Sequence, residues 1–173
     1  MTKFAIKYAL SFILLSPAQA IIFDHAILFN VALPLVFLYL IVTLPVTLGT
    51  NLSTLLGFLA GFFLDIFTDT PGVNSLCCTL LAFARKPIFH LYVSLDDDLA
   101  SRSPSSVSMG HSAYMKYMIT MVLIYCTLLF TVEAFQFFSF RLLILRIAAS
   151  SAYTFILLYA LDCLTMRRRE AKL

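Results

Sequence analysis

The sequence predicts an all-α integral membrane protein, a compact bundle of about six transmembrane helices. Hydrophobic residues make up 61% of the 173-residue chain and charged residues 12%, whereas a soluble globular domain is about half apolar and about a quarter charged. A chain of this length forms one domain, whose interior is too small to bury that excess. Since a membrane span needs about 20 mostly apolar residues, most of the chain is expected to lie in lipid.

Apolar runs and turn residues place the individual spans. The stretch 26–64 contains no charged residue and is too long for one helix, and Pro45 followed by the polar run 49–51 divides it in two. Pro71 and Gly72 supply the next turn. The helices are predicted near 4–23, 27–45, 51–68, 72–93, 113–134 and 139–164, with a Ser-rich cytoplasmic loop over 94–112 and a basic cytoplasmic tail over 165–173.

The fourth of these spans is the least regular in composition. Asn74 is placed to cap its first turn, but Arg85 and Lys86 interrupt the apolar run near its end. The last part of the span, 87–93, is therefore expected either to complete the helix or to lie along the membrane interface.

The placement of lysine and arginine orients the bundle. If both termini lie in the cytoplasm, ten of the twelve cations fall on the cytoplasmic side and the outer loops carry none. The positive-inside rule selects this orientation. Arg141 and Arg146 are the exceptions, in the outer half of the last helix. The basic end of the chain is expected to attract anionic lipid headgroups or to dock on a cytoplasmic protein.

The first span also resembles a signal peptide. Residues 1–20 have a basic start, an apolar core and an Ala-x-Ala ending at Ala18-Gln19-Ala20, which is the pattern of a cleavable leader. However, the apolar run continues through 21–23 and reaches the length of a full span. The sequence favours retention. Cleavage would leave five spans with the N-terminus outside and the remaining topology unchanged.

The third helix carries a stripe of small residues that continues into an acid. Ser53, Gly57 and Gly61 recur every four residues, and Asp65 follows at the same spacing. Helices in lipid gain no hydrophobic energy by associating, so small residues that permit close backbone approach mark contact faces. Internal packing against a neighbouring helix is the preferred interpretation of the stripe, and packing against another protein's helix is the alternative.

Asp65 needs a partner because an ionisable group at membrane depth normally faces protein or water. The predicted topology brings it to roughly the level of Arg146, and an Asp65–Arg146 ion pair within the bundle is our hypothesis. The alternative, of nearly equal weight, is that Asp65 closes a turn at the interface with Thr68 and Thr70.

Reactive chemistry finds little support in the sequence. The four cysteines lie in apolar segments with no Cys-x-x-Cys pair and no histidine at ligand spacing, so no metal site is expected. The three histidines are isolated, and the chain has neither a Gly-x-Ser-x-Gly elbow nor a glycine-rich phosphate loop. We therefore expect no enzymatic activity and no cofactor. The uneven charge distribution indicates membrane topology and not nucleic-acid binding.

Two segments of the third and fourth helices carry a more specific pattern, Pro45-x(11)-Gly57-Phe-Leu-Ala-Gly-Phe-Phe-Leu-Asp-Ile-Phe-Thr-Asp-Thr-Pro-Gly72 and Leu80-Leu-Ala-Phe-Ala-Arg-Lys-Pro87. The pattern resembles the rod shape-determining protein MreD family, which has a Leu-Pro, a Gly-x-x-x-Asp-x-Phe, a Thr-Pro-Gly turn and an Arg-Pro in this order. Gln19 and Pro34 also match that family. The specific likeness covers about a quarter of the chain, and Lys86 here separates the arginine from the proline.

The resemblance implies a non-catalytic membrane component of the bacterial cell-elongation complex. Such a protein lies in the inner (cytoplasmic) membrane and partners MreC, and through it MreB filaments and the peptidoglycan synthases. The resemblance also implies a fold similar to the substrate-binding membrane subunit of energy-coupling-factor transporters, and from this comes the alternative of a vitamin-binding transporter subunit. The residues expected to carry helix packing and interaction are Gly57, Gly61, Asp65, Pro71, Gly72, Asn74, Arg85 and Pro87.

A transporter subunit would need a polar-lined pocket near the outer face. The residues that the sequence offers for one are Asp65, Asn74, Glu133, Arg141 and Arg146.

Overall fold

The computed structural model describes residues 19, 33–68, 70, 72–93, 104, 109–134 and 140–170. Over this part of the chain the regular structure is entirely helical. The predicted first span, 4–23, lies outside it except for Gln19, as does most of the loop 94–112. The helices are α1 Leu38–Val42, α2 Thr50–Thr68, α3 Val73–Tyr92, α4 His111–Ala134 and α5 Phe140–Glu170.

Three of the described helices are long and apolar enough to cross a membrane, namely Thr50–Thr68, His111–Glu133 and Arg141–Thr165. They support the prediction of a membrane protein, whereas six spans remain a prediction. The helix α3 is as long as α2, but Arg85, Lys86 and His90 make it less apolar. Much of the surface of the three helices is apolar, as expected where lipid replaces water.

The predicted second span is not a continuous helix where the structure describes it. In place of a helix over 27–45, residues 33–37 are non-helical and only the short α1 follows. Pro34 has no N–H to donate to a helix, and neighbouring N–H groups bond to side chains of distant residues. The expectation of a regular second span is therefore wrong for residues 33–45.

Two other helix ends bear on the sequence prediction. The helix α3 continues to Tyr92 through Pro87, so residues 87–92 complete the helix, while the interfacial position of this segment stays a prediction. Arg85 does not interrupt the helix because it points into the protein, where it is only 1% exposed and hydrogen-bonded. The helix α5 runs on to Glu170, past the predicted end at 164.

The helix α3 is central to the described bundle. It packs against α2 on one side and α4 on the other, while α5 packs against α4. The core between them is apolar and includes Leu81, Met118 and Leu158. The opposite side of α2 is exposed and suits contact with lipid, since it presents Leu52, Leu55, Leu56, Phe58, Leu59, Phe62, Phe63, Ile66 and Phe67.

Candidate functional site

The small-residue stripe of α2 forms a seam with α3. All four residues of the stripe are buried, and each of them contacts α3: Ser53, Gly57, Gly61 and Asp65. The two helices run antiparallel, so the stripe meets α3 from its C-terminal part at Ser53 to its N-terminus at Asp65. These two positions are twelve residues apart, which corresponds to about 18 Å of helix.

Close backbone contact explains the two glycines. A Cβ atom added to Gly57 would lie 2.7 Å from Ala82 Cβ and 2.8 Å from the carbonyl oxygen of Cys78. One added to Gly61 would lie 2.5 Å from Ser75 Cα and still closer to the Asn74 carbonyl oxygen. No side chain fits at Gly61 unless α3 moves. The glycines therefore serve packing within the chain, as the preferred interpretation of the stripe predicted.

The carboxylate of Asp65 closes one end of the seam. Its Oδ1 accepts hydrogen bonds from the backbone N–H of Asn74 at 2.9 Å and the Thr70 hydroxyl at 3.2 Å. Its Oδ2 accepts one from the backbone N–H of Ser75 at 2.9 Å and one from the Ser75 hydroxyl. Asp65 thus caps the N-terminus of α3 from a different helix, where a negative charge also interacts favourably with the helix dipole.

Asn74 extends this contact to a third helix. Its side-chain nitrogen donates to the hydroxyls of Thr70 at 3.0 Å and Thr68 at 3.4 Å, and its Oδ1 accepts from the Tyr125 hydroxyl at 2.9 Å. Because Tyr125 belongs to α4, the network joins three helices. We call it the Asp65 cluster, and its members are Asp65, Thr68, Thr70, Asn74, Ser75 and Tyr125.

The hypothesised ion pair between Asp65 and Arg146 is not formed among the described residues. Asp65 is 7% exposed and bonded within its cluster, whereas Arg146 is exposed and interacts electrostatically with Glu133 at the end of α4. The predicted topology placed the two charges at one level, but the side chains have different partners. The alternative, closure of the turn with Thr68 and Thr70, agrees with the contacts.

The turn itself is only partly described. Pro71, predicted to shape it, lies outside the described residues. Gly72 directly precedes α3 with φ of 86°, a left-handed conformation that side chains other than glycine adopt at a cost. Asn74 is not the N-cap that the sequence predicted, because it lies inside the first turn of α3 and the side chain of Asp65 caps that turn.

Arg85 closes the other end of the seam. Its guanidinium donates to the carbonyl oxygens of Leu44 and Pro45, the latter at 3.0 Å, and to Ser53 Oγ at 3.2 Å. Arg85 thereby connects α3 both to the chain after α1 and to α2. Pro87, which the sequence grouped with Arg85, is exposed on α3.

Sequence reasoning missed several buried polar groups. Tyr125 and Ser75 complete the Asp65 cluster, and Tyr114 of α4 donates to the buried carboxylate of Asp162 on α5 at 3.3 Å. Apolar residues also occur on the exposed side of α4, for example Ile119 and Leu123, so periodicity did not distinguish its inward face. The spacing of Tyr114, Met118, Met121 and Tyr125 is the pattern that marks this face.

The Asp65 cluster and Arg85 hold helices together. Their carboxylate and guanidinium are buried and bonded to the backbone, and no group of metal-ligating side chains occurs among the described residues. No family model, curated protein or solved structure matches the chain.

Proposed function

We propose that this protein is a non-catalytic membrane scaffold of the bacterial cell-elongation complex. In this role it maintains cell shape by linking an MreC-type membrane partner, and through it MreB filaments, to peptidoglycan synthesis. The proposal includes a multi-pass bundle of about six spans in the inner membrane, with both termini in the cytoplasm and a fold similar to transporter substrate-binding subunits. The charge distribution of the sequence supports that orientation.

The observation that carries the proposal is the position of the MreD-like residues in the structure. Gly57, Gly61 and Asp65 from one segment, and Arg85 from the other, all belong to the α2–α3 seam. These residues, which carry part of the resemblance, thus hold α2 and α3 together as a hairpin. A scaffold needs such a fixed arrangement of helices, because its partners recognise surfaces and no reacting group is required.

The same contacts count against the transporter alternative. Asp65 and Asn74 are bonded within the Asp65 cluster. Glu133, Arg141 and Arg146 are exposed. The side chains that the sequence offered for a polar pocket therefore do not converge on one.

Depletion in the native host tests the proposal. Cell width is followed by microscopy in minimal and vitamin-rich media after the protein is depleted. Swollen or rounded cells in both media are expected for an elongation scaffold. Normal shape with a growth defect that a nutrient cures would overturn the proposal and identify a transporter subunit.

Complementation by glycine variants links the phenotype to the seam. Gly61→Ala is expected to restore rod shape poorly, because its Cβ meets the backbone of α3. Gly49→Ala is the matched control, since a Cβ at Gly49 has no atom within 4 Å. Full complementation by both variants at equal expression would contradict a role for the seam. Crosslinking in the same cells is expected to capture an MreC-type membrane protein.

A further inference from the structure

The non-helical segment 33–37 before α1, which we call the break, is bonded to α5 through side chains that are far away in sequence. The backbone N–H of Leu33 donates to Ser150 Oγ at 3.0 Å, and that of Leu35 donates to Thr154 Oγ1 at 3.1 Å. The Thr154 hydroxyl in turn donates to the carbonyl oxygen of Leu33 at 3.4 Å. Ser150 and Thr154 are both fully buried. They are one helical turn apart, so both hydroxyls lie on one face of α5, against the non-helical backbone of residues 33–35.

Gln19 bonds to the same break with both ends of its amide. Its Nε2 donates to the carbonyl oxygen of Pro34 at 2.6 Å, and its Oε1 accepts from the backbone N–H of Val36 at 2.8 Å. The side chain is 2% exposed. An amide has one donor end and one acceptor end, and each meets the group that it complements.

The break lies at a depth where unpaired backbone is costly. Ser150 and Thr154 fall near the middle of the apolar stretch Arg141–Thr165, so their partners lie near the centre of the bilayer if α5 spans it. Non-helical backbone at that depth persists only where protein groups bond to it, since lipid offers no hydrogen bonds. Here those groups come from two places, α5 and Gln19.

We propose that Gln19, Ser150 and Thr154 together form a latch that holds residues 33–36 in their non-helical conformation and joins Gln19 to α5 through them. Residues 1–20 are consequently part of the working protein and are not removed as a leader. Cleavage after Ala20 would take Gln19 away, and the Pro34 carbonyl and Val36 N–H would lose the partners that it supplies. The inference is independent of the proposed scaffold function, because it concerns processing and assembly of the chain itself.

Intact mass tests the processing. The full chain, with a tag at its C-terminus only, is produced in its native host and purified from the membrane in detergent. The expected mass is that of the tag plus the complete 19.4 kDa chain. A product shortened by residues 1–20 would overturn the inference.

Stability of two adjacent serine variants tests the latch. Ser150→Ala removes the acceptor for Leu33 N–H, whereas Ser151→Ala removes only a bond to Ala148 within α5. Both serines are buried, so the pair is matched. Unfolding in detergent is followed with a thiol-reactive dye, which reports exposure of the buried Cys77, Cys78 and Cys126. Cys163 is exposed and is replaced by serine in every variant.

The expected change in the unfolding constant differs from one variant to the next. Hydrogen bonds between membrane helices contribute about 0.6 to 1.7 kcal/mol, equivalent to about a three- to twentyfold change in the unfolding constant. Ser150→Ala and Thr154→Val are expected to raise that constant by such factors and Gln19→Ala by more, while Ser151→Ala changes it less than twofold. If Gln19→Ala fails to accumulate, the other two variants decide. Retention of residues 1–20 with equal stability of the two serine variants would overturn the latch.

Discussion

Replacement of Asp65 by asparagine is the most direct test of the cluster at the start of α3. The carboxylate accepts four hydrogen bonds, two on each oxygen. Asparagine keeps one acceptor oxygen and turns the other position into a donor. Each position faces one backbone N–H and one hydroxyl. A hydroxyl can rotate and accept from the new donor but an N–H cannot, so the bond from one backbone N–H is lost whichever way the amide points.

The magnitude follows from these contacts. One lost hydrogen bond in a membrane protein costs about 0.6 to 1.7 kcal/mol. Loss of the negative charge at the N-terminus of α3 adds about 0.3 to 1 kcal/mol. We expect Asp65→Asn to lower the free energy of unfolding by about 1 to 3 kcal/mol. The assay is unfolding in mixed micelles, monitored by circular dichroism.

Two controls separate the cluster from other roles of the acid. Glu133→Gln removes an exposed acid from α4 and is expected to change stability by less than about 0.5 kcal/mol. Arg146→Gln should be similarly mild if Asp65 does not depend on that arginine. A loss in Arg146→Gln as large as that in Asp65→Asn would refute the reasoning and restore the ion-pair hypothesis. Wild-type stability of Asp65→Asn would also refute the reasoning.

Three further predictions use the same unfolding assay. Gly61→Ala is expected to lower the free energy of unfolding by about 2 to 3 kcal/mol, because overpacking forces α2 and α3 apart. The control Gly49→Ala should stay near wild type, and equal stability of the two variants would contradict the close contact at Gly61. Arg85→Lys loses the planar guanidinium that bonds to three oxygens, and it should lower the free energy of unfolding by about 1.5 to 3 kcal/mol. The control Lys86→Arg should change it little. A small effect of Arg85→Lys would show that a positive charge alone is enough at this position. Gly72→Ala is expected to cost about 1 to 2 kcal/mol because its φ is left-handed, and Gly72→Asn less; equal costs would argue against a backbone origin.

The sequence predicted the four long helices well because their boundaries depend on local features. Apolar run length and breakers such as Pro45 and Gly72 located α2 to within one residue at its start and α3 to within one residue at each end. The seam was also predictable, because a small residue every fourth position has a direct meaning in lipid. Its partner helix was not specified by the pattern itself.

The break at 33–37 was not predictable by the same means. Hydropathy measures composition, and this segment is as apolar as a helix. Its backbone is non-helical because Ser150 and Thr154, more than 110 residues away, supply the hydrogen bonds that a helix would otherwise make. No local window contains that information. Asp65 shows the converse error, since the distant Arg146 was weighed almost equally with a turn through Thr68 and Thr70, and Thr70 does bond to Asp65.

The contacts of the glycines, of Asp65 and of Arg85 together explain how one register of α2 against α3 is selected. Apolar surfaces do not drive association in lipid, and the glycines alone would tolerate a slide along the groove. A slide by one turn, about 5.4 Å, would separate Asp65 from the N–H groups of α3 and Arg85 from Ser53 at the same time. Because the two charged groups are fixed at opposite ends, no single shift satisfies both except the observed one. The buried charges therefore specify the alignment that the glycines permit.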